Sequence, residues 1–195
     1  MSPDLLPPYA ELHCRSNFSF LSGASHPEEL VERAQALGYA ALAVTDVCSL
    51  AGIVRAHVAA KDAGLPLVVG SELVLDGGLR IVLLARDRDS YGDLCQLVTR
   101  GRRSADKGTY RLTRDDVAQL GARCLALWVP PDTLTATDDV LGGAARFVAA
   151  AFGGRAWIAA ELFAQAGDAA RLARLEALSH ASGLPLVAAG DVHMH

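Results

Sequence analysis

The chain has 195 residues, 51% hydrophobic and 21% charged, which supports a sizeable buried core and excludes wholesale disorder. Eighteen Lys and Arg against 22 Asp and Glu give a formal net charge of -4. That excludes a domain whose main business is wrapping nucleic acid by overall charge, although a local basic patch is still allowed. No apolar run approaches the ~20 residues that span a bilayer. The stretch from Met1 to Pro8 lacks the basic-then-apolar order of a secretory signal. The chain is therefore read as soluble and cytoplasmic, with no membrane partner. Its four cysteines, Cys14, Cys48, Cys95 and Cys124, form no C-x-x-C pair and read as reduced, mostly buried thiols.

Strand-length apolar runs alternate with helical segments along the chain. Tyr9 to Cys14 is the first strand, followed by a helix from Pro27 to Leu37 with Ser25 as its candidate N-cap and Gly38 past its end. The run Ala41 to Thr45 ends in Asp46. A helix from Ser49 to Ala63 stops at Gly64, and the strand beginning Leu67 to Val69 closes at Glu72. Asp76-Gly77-Gly78 between alternating stretches predicts a hairpin, with Arg80 to Ala85 returning. Helices over Asp87 to Arg103 and Arg114 to Leu120 precede the strand Cys124 to Val129, which Pro130-Pro131 terminates. An alanine-rich helix (Asp138 to Ala151), the strand Ala156 to Glu161, a helix (Asp168 to Ser182) and the strand Leu184 to Ala189 complete the order. This alternation predicts one largely parallel α/β domain, and seven strands fit a closed barrel better than an open sheet.

His13, Asp46, Glu72, Glu161 and the pair Asp191 and His193 all fall at or just past the C-terminal ends of strands. In a parallel barrel that face gathers the loops, and sites are built there. Carboxylates and imidazoles converging from five strands suit a metal cluster for phosphate-ester hydrolysis. Each acid alone could equally cap a following helix, as Asp46 could for the segment starting at Ser49. There is no phosphate-binding glycine loop and no G-x-S-x-G elbow. His26, His57 and His180 read as helix-associated side chains, and Arg100, Arg102, Arg103 and Lys107 as a solvated basic stretch.

The stretch Glu11 to Leu21 (ELHCRSNFSFL) resembles the first motif of the polymerase-and-histidinol-phosphatase (PHP) domain. Val44-Thr45-Asp46 resembles the second, Gly70-Ser71-Glu72 the third, and Gly190-Asp191-Val192-His193 the last. The similarity covers nearly the whole chain, and the wording is closest to the error-prone, translesion branch of bacterial C-family DNA polymerases. The resemblance implies a PHP-type distorted (β/α)7 barrel, TIM-like, forming a single domain over residues 1–195, an excised N-terminal part of a longer polymerase. It implies DNA synthesis across damage by the whole protein with Mg2+. The implied partners are the remainder of the chain, DNA through the full-length protein, and a sliding clamp with other mutagenesis proteins.

The departures from the family pattern carry as much weight as the matches. The first motif, His-x-His in metal-binding members, reads His13-Cys14-Arg15; Val47 follows Asp46 where a histidine is usual. Arg80 and Gln165 stand where two further histidines are expected. A guanidinium is always charged and cannot coordinate a cation. The leading expectation is a non-catalytic domain that stabilises the polymerase, with His13, Asp46, Glu72, Glu161, Asp191 and His193 as a vestigial site binding no cofactor. Arg15, helped by Arg80, is expected to replace the metal as counter-ion to some of Asp46, Glu72, Glu161 and Asp191. The alternatives are an active phosphoesterase or 3′–5′ proofreading exonuclease using Zn2+ or Mn2+, and a stand-alone metalloenzyme of small phosphate esters.

Overall fold

The computed structural model describes residues 7–131 and 138–195; most of the N-terminal stretch read above as lacking a signal, residues 1–6, lies outside them. Seven strands pair in chain order: β1 (Ala10–Glu11), β2 (Ala41–Val44), β3 (Leu67–Val74), β4 (Arg80–Leu84), β5 (Leu125–Val129), β6 (Ala156–Glu161) and β7 (Leu186–Ala189). The edges then meet. A parallel bridge joins Cys14 to Val192, with Arg15 N–H donating to Val192 O at 2.8 Å and Val192 N–H to His13 O at 2.9 Å. The result is a nearly closed seven-stranded barrel with helices outside it.

Among the described residues six helices cover the strands: α1 (Pro27–Ala36), α2 (Ile53–Ala63), α3 (Arg88–Arg103), α4 (Arg114–Leu120), α5 (Asp138–Phe152) and α6 (Asp168–Ser182). Two local expectations need correction. The N-cap of α1 is His26, whose N–H is taken by Glu29, while the Ser25 hydroxyl is bonded to His195 at the far end of the chain. Helix α2 starts at Ile53 rather than Ser49, because residues 47–49 are drawn to β3. There Cys48 N–H donates to Glu72 O at 2.8 Å and Ser49 N–H to Ser71 Oγ at 3.2 Å.

The pairing is parallel except around β4, which runs antiparallel to both β3 and β5. The Asp76-Gly77-Gly78 turn makes this possible, with Gly77 and Gly78 at φ 87° and 81°, a conformation open to glycine at no steric cost. The reversal has a consequence for the site. The first residue of β4, Arg80, lies at the same mouth as the last residues of its neighbours, opposite Val74 and Val129.

Strand alternation sorts side chains into two layers. In β4, Ile81 and Leu83 pack outward with Leu94, Leu97, Trp128, Val148 and Phe152 under α3 to α6. Val82 and Leu84 point inward and meet Ala43, Leu127, Val129, Ala159 and Ala189, which fill the barrel. A third cluster seats α1 and α2 on the early strands through Leu30, Val31, Leu42, Val44 and Ala56. The same period of two places Arg80, Glu72 and Glu161 inward, with Glu72 opposite Val82 and Glu161 opposite Ala189 at the border of the apolar filling. The polar site rests on a greasy floor.

Candidate functional site

His13 sits fully buried at the centre of the mouth. Its Nδ1 lies 2.7 Å from Glu161 Oε1 and its Nε2 3.0 Å from Glu72 Oε2, and Asp191 Oδ1 is 3.6 Å from Nδ1. Burial would lower the imidazole pKa, but the hydrogen bonds to Glu161 and Glu72 outweigh it and push the value up to about 9. With a carboxylate oxygen on each ring nitrogen, both nitrogens act as donors. His13 is an imidazolium at neutral pH.

Two guanidiniums complete the arrangement. Arg15 is buried, and its Nε donates to Glu72 Oε2 at 2.6 Å, Nη2 to Asp191 Oδ1 at 2.8 Å, and Nη1 to Ser22 Oγ at 2.9 Å. Arg80 repeats the span from the opposite strand, with Nε on Glu72 Oε1 at 2.6 Å and Nη2 on Asp191 Oδ2 at 2.9 Å. Each guanidinium therefore bridges the same two carboxylates. Burial would raise the Glu72 pKa, yet His13, Arg80 and Arg15 hold it down at about 2. The Asp191 carboxyl is likewise held below its usual range against burial, by His13, Arg80 and Arg15. Arg80 is shifted up despite burial, chiefly by the charge of Glu72. Three cations, His13, Arg15 and Arg80, thus face three carboxylates, Glu72, Glu161 and Asp191.

The remaining expected residues divide. His193, exposed at the rim, reaches Asp191 Oδ1 at 3.2 Å. Asp46 does not join the cluster. Its carboxylate accepts from Ser16 N–H (2.8 Å), Ser16 Oγ (2.8 Å) and Ser19 Oγ (2.7 Å), and so folds the first-motif loop back onto β2. It is neither a cap for α2 nor a partner of Arg15, whose carboxylates among the four considered are Glu72 and Asp191. Val47 lies beside this loop, its N–H donating to Ser19 Oγ at 2.9 Å. Gln165 is exposed after β6, with its backbone N–H on Asp168 Oδ2 at 3.1 Å.

Glu11 escaped sequence reasoning as a site residue. It is buried, and its Oε1 accepts the His13 N–H at 2.8 Å and the Gly190 N–H at 2.9 Å, while Tyr9 Oη donates to Oε2 at 2.8 Å. It closes the barrel by tying β1 to the turn after β7. A Cβ at Gly190 would lie 2.3 Å from Glu11 Oε2, so a larger residue there would force the Glu11 carboxylate off its hydrogen bonds. The available signal was the glycine before Asp191, which marks a close approach of backbone to something.

A family model of the PHP domain matches residues 11–153. The chain belongs to the PHP-domain family. Its sequence is 54% identical over 195 residues to an error-prone DNA polymerase of Dechloromonas aromatica, covering 97% of this chain and 18% of that protein. The same name is carried by a relative from Pseudomonas aeruginosa, 53% identical over 187 residues, with 96% of this chain and 18% of that protein covered. This PHP domain thus spans less than a fifth of the length of these curated relatives. Among solved structures, a protein from Bifidobacterium adolescentis described as a metal-dependent phosphoesterase superposes with TM-score 0.71 at 15% identity, covering 96% of this chain and 88% of its own. An amidohydrolase from Chromobacterium violaceum gives 0.69 at 19% identity, covering 95% and 87%. These two likenesses are of fold.

His13, Glu161 and Asp191 present ligand atoms within 4.8 Å of one another, the spacing of a possible metal site. The chemistry of the set opposes a cation there. His13 would have to surrender a proton held by two carboxylates, and Arg15 and Arg80 would have to release Asp191. Glu72 and Asp191 are already neutralised by the two guanidiniums, which leaves them little uncompensated negative charge to draw a metal ion. The donor set does not fit a multi-metal centre.

Proposed function

We propose that this chain is the non-catalytic N-terminal PHP domain of an error-prone DNA polymerase acting in damage-induced mutagenesis. In this reading it stabilises the polymerase through a mouth in which fixed side-chain cations do the electrostatic work of a metal cluster. One observation carries the reading: Arg15 and Arg80 each bridge Glu72 and Asp191 while His13 is clamped between Glu72 and Glu161. Carboxylates crowded without a counter-charge raise one another's pKa and cost stability; three built-in cations remove that cost at any pH where His13 is protonated. His13, Asp46, Glu72, Glu161, Asp191 and His193 are then a vestigial ligand set, with Arg15, Val47, Arg80 and Gln165 at the lost positions. DNA, Mg2+ and nucleotides would be handled by the remainder of the polymerase, in the cytoplasm, where a sliding clamp and other mutagenesis proteins would also engage.

The test is catalytic. Exonuclease assays on single-stranded oligonucleotides and hydrolysis of p-nitrophenyl phosphate are run with and without Mn2+ or Zn2+. No turnover attributable to the domain is expected. Metal-dependent turnover that disappears in His13→Ala would overturn the proposal in favour of an active phosphoesterase or proofreading domain.

A further inference from the structure

One cavity, of about 480 Å3, contains none of the ionic residues of the mouth. Its walls include Phe18 and Phe20 from the loop after β1, Val47 after β2, and Arg102, Thr109 and Tyr110 from the end of α3 and the segment behind it. Three aromatic rings therefore border one space. Among the described residues the ring–ring contact is that of Tyr9 with Tyr39, so these three do not stack on one another. Arg102 lies over the Tyr110 ring, 5.4 Å from its centroid, and is the one charged side chain among the lining residues.

Both walls are pinned. Phe20 and Leu21 are the central residues of a tight turn in which Ser22 N–H donates to Ser19 O at 2.9 Å. The ends of that turn are anchored, Ser19 Oγ donating to Asp46 at 2.7 Å and Ser22 Oγ accepting from Arg15 at 2.9 Å. Leu21 is held at φ 61°, in the left-handed region that a residue with a Cβ seldom occupies. The Phe20 ring, 86% exposed, is thus presented to solvent by backbone that the fold fixes. Opposite, the Arg102 guanidinium donates to Cys48 O and Val47 O, each at 3.0 Å, and to Thr109 O at 3.5 Å. Tyr110 Oη accepts the Val74 N–H at 2.9 Å. Three of the five guanidinium N–H groups are so engaged, which leaves two for a ligand oxygen.

We propose that this cavity binds one unpaired nucleotide of a single-stranded nucleic acid, with the base against the aromatic rings and a phosphate on Arg102. Ring faces stack on any base, and a guanidinium pairs with phosphate oxygens. Charge complementarity selects this ligand. The lining carries a cation and no carboxylate, and nearby Asp46 is buried and satisfied by Ser16 and Ser19. A protein side chain brings either a ring or an acid; a nucleotide brings both. The exposed wall then selects a strand over a free nucleotide. Sites for free small ligands enclose about 70–90% of the ligand, whereas a strand can enter and leave across a ring as open as Phe20. Bases within a duplex are stacked on their neighbours and cannot reach the rings. The inference goes beyond the polymerase reading and does not depend on it.

The test uses the 195-residue chain and an end-labelled octathymidylate in which one base is iodouracil. Fluorescence anisotropy should give a Kd of roughly 10⁻⁵–10⁻⁴ M, within the range of non-specific binding, and the duplex of the same sequence should bind at least tenfold more weakly. The salt slope should be about −0.7, that of one phosphate on a single strand. Phe20→Ala and Phe20→Leu should each weaken binding at least about fivefold, the low end for one base–ring stack, and Phe20→Trp should restore it. None of the three should move the unfolding midpoint, because the ring is in solvent. Irradiation of the unaltered chain should crosslink the iodouracil to Phe18, Phe20 or Tyr110. Binding indifferent to Phe20→Ala would overturn the proposal, as would equal affinity for the duplex or for free thymidine monophosphate, or a crosslink confined to residues outside the cavity.

Discussion

Removing Arg15 is the most informative single perturbation of the mouth. Arg15→Ala deletes three hydrogen bonds, to Glu72, Asp191 and Ser22, two of them to carboxylates at 2.6 and 2.8 Å. It also takes one of three cations from a cluster with three carboxylates. Breaking a buried pair costs about 3–5 kcal/mol, because the abandoned charge stays buried. Two features move the expectation to the low end. Arg80 still bridges Glu72 and Asp191, and the Asp191 side chain is 12% exposed and can recover some hydration. The expected loss is therefore about 3 kcal/mol. For a domain of this size that corresponds to a fall in Tm of roughly 6–12 °C. Urea denaturation followed by circular dichroism measures it, with Arg15→Lys as the companion. Lysine keeps the charge but not the fork that reaches both carboxylates, so it should fall between wild type and alanine. A loss below about 1 kcal/mol for Arg15→Ala, within the range of an ordinary surface ion pair, would refute the claim that the guanidinium replaces a metal.

The opposed shifts of His13 and Glu72 make stability depend on pH from both sides. His13, raised to about 9, contributes stability that is whole below pH ~6.5 and lost as pH climbs through 9. Glu72, lowered to about 2, contributes stability that is whole above pH ~4.5 and lost as pH falls through 2. Unfolding midpoints should be flat between those limits and fall outside them, and NMR titration of the His13 ring should give a midpoint well above 6.5; an ordinary value would contradict the clamp. Gly190→Ala should destabilise by roughly 1–3 kcal/mol, as overpacking does, through the clash with Glu11, and Glu11→Ala in the same chain should make the glycine substitution much cheaper. Binding to DNA should be weak, with Kd above roughly 10⁻⁶ M at physiological salt. In the basic stretch Arg100 is paired with Asp116 and Arg102 with the carbonyls of Val47 and Cys48, so much of that charge is used within the fold. Fluorescence anisotropy across a salt series checks this.

Strands and helices were largely legible because their signals are local. The Asp76-Gly77-Gly78 turn announced the hairpin, and with it the reversal that carries Arg80 to the mouth. Misread boundaries lie where distant chain competes with local propensity. Ser25 looks like a cap, but its hydroxyl is claimed by His195, 170 residues away. Ser49 looks like a helix start, but its N–H is claimed by Ser71. The site follows the same rule. That polar side chains converge on the mouth could be read from their places at strand ends; which carboxylate meets which cation could not. Asp46 and Glu72 occupy equivalent places after β2 and in β3, yet the serines of the first-motif loop capture one and the arginines the other. Glu11 was invisible because its partners are backbone N–H groups brought near by closure of the barrel.

The central claim, that side-chain cations stand in place of metal, is tested most directly by measuring metal content and the unfolding midpoint on one sample, before and after exhaustive chelation. Well under one equivalent of bound Zn2+ or Mn2+ is expected, with a midpoint that chelation does not move. Stoichiometric metal, with a midpoint that falls on chelation and returns on adding the ion back, would contradict it.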